Sequence, residues 1–457
     1  MTAQDLQIVQ VKSISGLQDA LQKATPGTII SLRNGNYVGE NLIVSNSGTR
    51  EKPIIIQAKN PGKAVIHSPL EINSDHILII GLRFRENGNL QIEGSGNRIS
   101  RCVMDNVKTG KWIRVLPGST EIEIDYNTFE NKQSNLEFER GCQLMQIIVR
   151  NENERHHIHH NLFRNIPQGS GNGFETLQLI TENNPFDPPA GNCNSLIEDN
   201  LFVRCNGESE IISVKSNGNM LRGNVFQACK GSLVLRHGDD NTVFGNFFFG
   251  AGEEGSGGVR IQGTGQIVAG NYFQGLQRFG LGMMDGTPDD LYIRVERAKI
   301  LLNTFINCNN TFQIGLNHSK HPNGTVPKDC LIAGNIFYRD LEQATDSGSS
   351  FVKFVQDDQP ENWHWQDNIV YGYDTQKTWN GLSVQDPKLK FIKSGLAIPS
   401  ETTPHRNPPI QSTVVAKTDL LGSTRAGSAT LGAIQYFPGL STVNILTEKL
   451  VGPGAYK

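Results

Sequence analysis

Apolar and polar residues alternate along most of the chain in runs of three to five positions. Examples are Ile122-Glu123-Ile124, Leu196-Ile197-Glu198, Thr242-Val243-Phe244 and Gln266-Ile267-Val268. Gly, Asn and Asp punctuate the runs. A period of two over so few residues predicts short, half-buried strands. The runs recur in phase, each leading to Asn, any residue, then an aromatic or apolar residue. The series is Asn127-Thr128-Phe129, Asn161-Leu162-Phe163, Asn200-Leu201-Phe202, Asn224-Val225-Phe226, Asn246-Phe247-Phe248, Asn271-Tyr272-Phe273, Asn303-Thr304-Phe305, Asn335-Ile336-Phe337 and Asn368-Ile369-Val370. Its intervals run from 22 to 39 residues. The shortest match one coil of three short strands and three turns, and the longer ones add a loop. Such strands stack best as an all-β parallel β-helix, each coil pairing with the next at about 4.8 Å. The repeated Asn then forms a ladder inside one turn, bonding turn backbone that the sheets leave unpaired. The repeated Phe stacks in the interior. A β-propeller needs a longer period and four strands per repeat.

The ends complete a solenoid. Residues 15–24 read as an amphipathic helix ended by Pro26-Gly27, suited to cap the first open coil. Coils are expected over about 28–375, and an irregular tail laid along the body over 376–457. The whole of residues 1–457 is read as one domain.

Composition narrows the partners. With 37% apolar and 19% charged residues the chain is not of the disordered class. Lys+Arg number 42 against Asp+Glu 45, a net charge of −3, so no global basic field draws in nucleic acid. An acidic ligand must meet a local basic patch. No apolar run is long enough to span a membrane. The first residues carry no apolar leader, so a secreted or periplasmic protein would have lost its signal peptide. Seven scattered cysteines with no CxxC pair read as small buried hydrophobes.

One segment carries side chains too costly to place by accident. Glu208 and Glu210 project from one face of one strand, and two such carboxylates repel unless a cation or proton intervenes. A hard cation such as Ca²⁺ takes oxygen ligands. One coil earlier, Asn172 and Glu175 are expected beside Glu208 and Glu210. Further along stand Lys215, Arg236-His237 and Arg260, and the 22-residue ladder offset puts His237 over Lys215. Lys215 and Glu210 differ in parity, so a bulge between Ile211 and Val214 is expected to bring them to one face.

The spacing Glu208-x-Glu210-x-x-x-x-Lys215, followed by Arg236-His237, resembles polysaccharide lyase family 6, which holds alginate lyases and dermatan-cleaving chondroitinases of the B type. The cap helix with Thr25-Pro26-Gly27 and the coil repeat are similar to that family's single-stranded right-handed parallel β-helix. So are Leu421-Gly422-Ser423-Thr424-Arg425 and Leu431-Gly432-Ala433. The resemblance covers about residues 10–435. It implies calcium-assisted β-elimination on an anionic uronate polysaccharide. Lys215 would be the general base at C5, and Arg236 the partner of the leaving O4. Glu208, Glu210 and Asn172 would hold Ca²⁺, with Glu175 as the alternative third ligand or a substrate contact. His237 and Arg260 would line subsites. A permanently charged guanidinium is a poor proton donor, so Arg236 is read as stabilising charge while a water or tyrosine donates.

The expected activity is alginate lyase, with mannuronate-type cleavage favoured. The same chemistry on dermatan sulfate is the first rival, with Arg294, Arg297 and Arg339 as candidates for sulfates. A non-catalytic β-helix glycan binder is the second. Three other motifs read as structure. In Arg155-His156-His157-Ile158-His159-His160 neighbouring histidines face opposite sides of a strand. Gly238-Asp239-Asp240 and Asp285–Asp290 read as turns.

Overall fold

The alternating runs form short strands, nearly all paired in parallel with the strand one coil away. The computed structural model describes residues 7–133, 141–182, 189–289, 291–315, 324–341, 350–355, 359–375, 379–406, 417–425 and 429–455. The chain divides into two compact units. The first is Met1–Pro185, Pro189–Ser216 and Leu446–Lys457; the second is Phe186–Pro188 and Asn217–Ile445.

Each unit is a parallel β-helix of three sheets. In the first unit one sheet runs through Glu123–Asp125, His157–His159 and Leu196–Glu198. A second runs through Thr128–Glu130, Leu162–Ile166 and Leu201–Cys205. The third runs through Met145–Val149, Leu177–Thr181 and Glu210–Lys215. The second unit repeats the coil with Thr242–Phe244, Phe247–Phe249 and Ser256–Ile261, and their counterparts further on.

The ladder fixes the coil. In the first unit Asn161 Oδ1 accepts from both the backbone N and Nδ2 of Asn127 at 3.0 Å. Asn161 gives the same pair to Asn200 Oδ1, at 3.0 and 2.9 Å. In the second unit Asn246, Asn271, Asn303, Asn335 and Asn368 repeat the pattern at 2.8–3.0 Å. The residue before each ladder Asn is left-handed, whether Gly245 or Gly270 or a side-chain bearer such as Tyr126, His160, Asp199 and Leu302. That αL residue makes the corner, and the Asn amide satisfies the backbone the corner leaves unpaired. The interior stack is as expected. Phe129, Phe163 and Phe202 lie ring on ring at 4.7 and 4.8 Å in the first unit, and Phe226, Phe248, Phe273 and Phe305 at 4.5–4.8 Å in the second.

A second ladder was not foreseen. Asn241 Oδ1 accepts from Asn219 N at 2.9 Å, and Gln266 Oε1 from Asn241 N at 3.0 Å. These residues stand ahead of their strands and differ in type.

The cap helix spans Ile14–Lys23, one residue ahead of the expected range. Ser13 Oγ accepts from Gly16 N as its N-cap, and Leu17, Ala20 and Leu21 are buried. A strand the sequence did not announce, Ile8–Val11, precedes it and pairs with Ile29–Leu32. The segment after residue 375 holds short strands. Leu382–Val384 adds a strand beside Asn368–Tyr371, and Leu389–Phe391 pairs antiparallel with Ala397–Pro399. Within the second unit Ala397 N donates to Tyr272 Oη and Ala433 N to Thr304 Oγ1, each at 2.8 Å. Within the first, Gly452 N bonds His160 O at 2.9 Å and Arg101 Nη1 bonds Ala455 O at 3.1 Å. All seven cysteines are buried thiols, as read from the sequence.

Candidate active site

The strand Glu210–Lys215 pairs with Leu177–Thr181 so that Ile212 meets Leu177 and Lys215 meets Ile180. Ahead of this stretch Thr176 N donates to Ile211 O at 3.0 Å, which brings the end of the Glu175 segment against the start of the strand. Ile212, Val214, Leu177 and Leu179 are fully buried in the coil. Ahead of that paired stretch, carboxylate oxygens of Glu175, Glu208 and Glu210 lie within 4.8 Å of one another. Glu175 and Glu210 are buried and Glu208 half-buried.

Close approach of two coils makes the cluster possible. A Cβ on Gly207 would sit 2.1 Å from Phe174 O, so only glycine allows the backbone of Glu208 so near that of Glu175. A relay of amides aims Glu175. Gln146 Nε2 donates to Gln178 Oε1 at 2.8 Å, and Gln178 Nε2 to Glu175 Oε1 at 2.8 Å. The other oxygen, Glu175 Oε2, is buried without a hydrogen-bond partner.

Burial pushes the Glu208 carboxyl up to about 8, and the charges of Glu175 and Glu210 add to the rise. Lys215 opposes it, which puts the lysine in the electrostatic neighbourhood of the cluster. Against Leu177–Thr181 the strand pairs continuously from Ile212 to Lys215, and the acids stand before that stretch, where the pleat no longer dictates their face. Asn172 is exposed, three residues before Glu175. Lys132, which the sequence gave no reason to single out, is buried with Nζ donating to Cys142 O. Burial pulls its ammonium down to about 8, against the attraction of Cys142 and Glu175.

The second unit carries the other named residues. Arg236 follows the strand Gly231–Leu235, its guanidinium 5.7 Å from the Tyr292 ring centre. His237 is buried and its Nε2 lies 3.0 Å from Leu291 O, so the segment Leu291–Tyr292 covers both. Arg260 lies in Ser256–Ile261, in register with Val234 and Gly282. Arg278 lies near it, its guanidinium pulled down by burial first and by Arg260 second. Tyr292 and Arg278 were missed, since nothing in their spacing links them to Arg236 or Arg260. Arg294 and Arg297 both contact Glu296, and Arg339 lies 5.9 Å from the Tyr373 ring centre. Asp239 makes a turn, its Oδ1 accepting from Thr264 N at 2.7 Å. Asp290 and part of the loop 182–194 lie outside the described residues.

Residues 11–408 match the family model described as chondroitinase B. No curated protein matches the chain. Among solved structures the chain is similar to the PL6 family alginate lyase AlyGC, at 28% identity and a TM-score of 0.75, over 86% of this chain. It covers only 55% of AlyGC. It is also similar to a mannuronic acid specific polysaccharide family 6 lyase from human gut microbiota, at 26% identity and a TM-score of 0.70, over 84% of this chain and 92% of that one. A PL6 alginate lyase solved with a trisaccharide shares the fold at 17% identity and a TM-score of 0.73, covering 98% of this chain and 95% of that one.

Proposed function

The chain belongs to polysaccharide lyase family 6, and from that premise we propose that it cleaves alginate by calcium-assisted β-elimination at a uronic acid, mannuronate by preference. The observation that carries the reading is the cluster of Glu175, Glu208 and Glu210 beside Lys215. Three carboxylates held together out of water, one raised to about 8 and one with an unpartnered oxygen, fit a hard divalent cation. These three would hold Ca²⁺, with exposed Asn172 an additional oxygen. The ion, when bound, would neutralise the uronate carboxylate and so stabilise the charge that builds beside it.

Lys215 takes the C5 proton on its Nζ. The C5–H electron pair forms the C4=C5 double bond, and the C4–O4 bond breaks with its pair on O4. A proton then goes to O4. Arg236 stabilises charge, as the family resemblance implies, and a water or tyrosine supplies the proton, since a guanidinium is a poor donor. His237 and Arg260 contact substrate in this proposal. A polymer substrate of this kind belongs outside the cytoplasm, and no helix among the described residues is long and apolar enough to cross a membrane. The gut-microbiota lyase of similar sequence supports the mannuronate preference.

Dermatan sulfate is the second reading, because of the family model's description. The contacts of Arg294 and Arg297 with Glu296 weigh against their serving sulfates. The test is ultraviolet absorbance of the new double bond on poly-mannuronate, poly-guluronate and dermatan sulfate, with and without chelator. Absorbance should rise on mannuronate-rich polymer and stop with chelator. A rise on dermatan sulfate alone gives the second reading; binding with no rise on any polymer overturns both. Lys215→Ala should lower turnover by about 10²–10⁴-fold with substrate binding kept, and Lys215→Arg should not rescue it. Near-normal turnover in the arginine variant would move proton abstraction elsewhere.

A further inference from the structure

The histidine tract is not the plain strand its alternation suggested. His157–His159 pairs in register with Glu123–Asp125, so His157 stands beside Glu123 and His159 beside Asp125. Ile124 and Ile158 between them are fully buried, which leaves Glu123, His157 and His159 on the outer face of this sheet. One ligand atom of each lies within 4.8 Å of the other two. The His157 and His159 rings stack with centroids 4.0 Å apart, and His159 Nε2 is 3.1 Å from Glu123 Oε1. His157 Nε2 is 2.8 Å from Glu198 Oε1.

His159 Nδ1 and His160 Nδ1 lie 2.9 Å apart, so one ring donates to the other. Where His159 is the donor, its Nε2 lone pair faces Glu123 Oε1 at 3.1 Å, and a metal ion would be held by both. A ring whose other nitrogen donates a hydrogen bond is also how metal-bound histidines are held. Arg98, the nearest cation, is drawn to Asp125 by two bonds of 2.9 and 2.6 Å and approaches Glu123 only at 3.5 Å. Glu123 and His157 also line a pocket of about 380 Å³ with Arg50, Arg98 and Arg155, which leaves a coordination position open to solutes.

We propose that Glu123, His157 and His159 form a second metal site, for a borderline divalent transition ion such as Zn²⁺, separate from the carboxylate cluster. Two imidazoles and one carboxylate are a donor set for Zn²⁺ or Fe²⁺ with an open position, whereas Ca²⁺ prefers oxygen alone. The experiment is calorimetric titration of the tag-free chain with Zn²⁺ in saturating Ca²⁺, together with the visible absorption of added Co²⁺. The wild type should bind one Zn²⁺ and give a Co²⁺ band of low-coordinate intensity. His157→Ala and Glu123→Gln should each weaken Zn²⁺ by about 10-fold or more and remove the band, with circular dichroism unchanged. Glu208→Gln should keep both signals. The proposal is overturned if the wild type takes up no Zn²⁺, if both His157→Ala and Glu123→Gln bind it as the wild type does, or if Glu208→Gln loses it.

Discussion

Glu208 is a carboxyl whose folded state holds its proton far more tightly than the unfolded chain does, at about 8 against 4.5. Its contribution to stability is therefore full below about pH 4.5 and is lost as pH rises to about 8. In chelator, the melting temperature should fall across that window, and Glu208→Gln should flatten the fall. Calcium uptake below pH 8 should release protons, read as a dependence of binding heat on buffer ionisation enthalpy. His156 has the opposite sign. Burial pulls its ring down to about 4, and its Nδ1 accepts from Ile122 N at 3.3 Å, so it is held neutral. Folding loses stability as pH falls from 6.5 through 4, because only the unfolded chain takes up the proton. His156→Gln keeps an acceptor and should remove that part of the acid slope in denaturant titrations.

At the scale of the element, the two columns inside the coils carry measurable energy. Asn271→Ala strips Asn246 N of its acceptor and removes the amide's bonds to Val243 O and Ala269 O. A buried backbone donor left unsatisfied should cost about 1–3 kcal/mol in urea unfolding. Phe273→Ala opens a gap between Phe248 and Phe305 and should cost about 3–5 kcal/mol. These columns were legible because a ladder demands the same residue at the same corner of every coil. The Asn219, Asn241 and Gln266 ladder was not, since its members differ in residue type. The strand Ile8–Val11 was hidden because its pairing partner lies beyond the cap helix.

Over the whole molecule, the acids were easier to find than their setting. Glu208 and Glu210 are two apart in sequence, which any reader of alternation can see, although Glu208 stands ahead of the strand Glu210–Lys215. Glu175 was only an alternative, because the loop over 182–194 obscures how its coil stacks on the next. Lys132 and Gln146 sit one coil before Glu175, and only the fold brings Lys132 near it and Gln146 to the Gln178 that holds it. The tail, unremarkable in sequence, ties back to the first unit through Glu448 on Arg164 at 2.8 Å and through Gly452 and Ala455. Ending the chain at Ile445 should lower the melting temperature seen by calorimetry, and an unchanged value would show these contacts to be idle.

The ladder also sets how the protein ages. Asparagine deamidates when the next residue's amide nitrogen attacks its side-chain carbonyl. In the ladder that oxygen accepts two hydrogen bonds and the side-chain nitrogen is held by backbone carbonyls, as at Asn161. Asn172 is exposed and followed by Gly173, which leaves the attacking amide unhindered. Peptide mapping after storage at mildly alkaline pH should find aspartate and isoaspartate at position 172 while the ladder peptides stay intact. The damage would then fall three residues from Glu175, and stored protein would gain a charge beside the carboxylate cluster before it lost its fold.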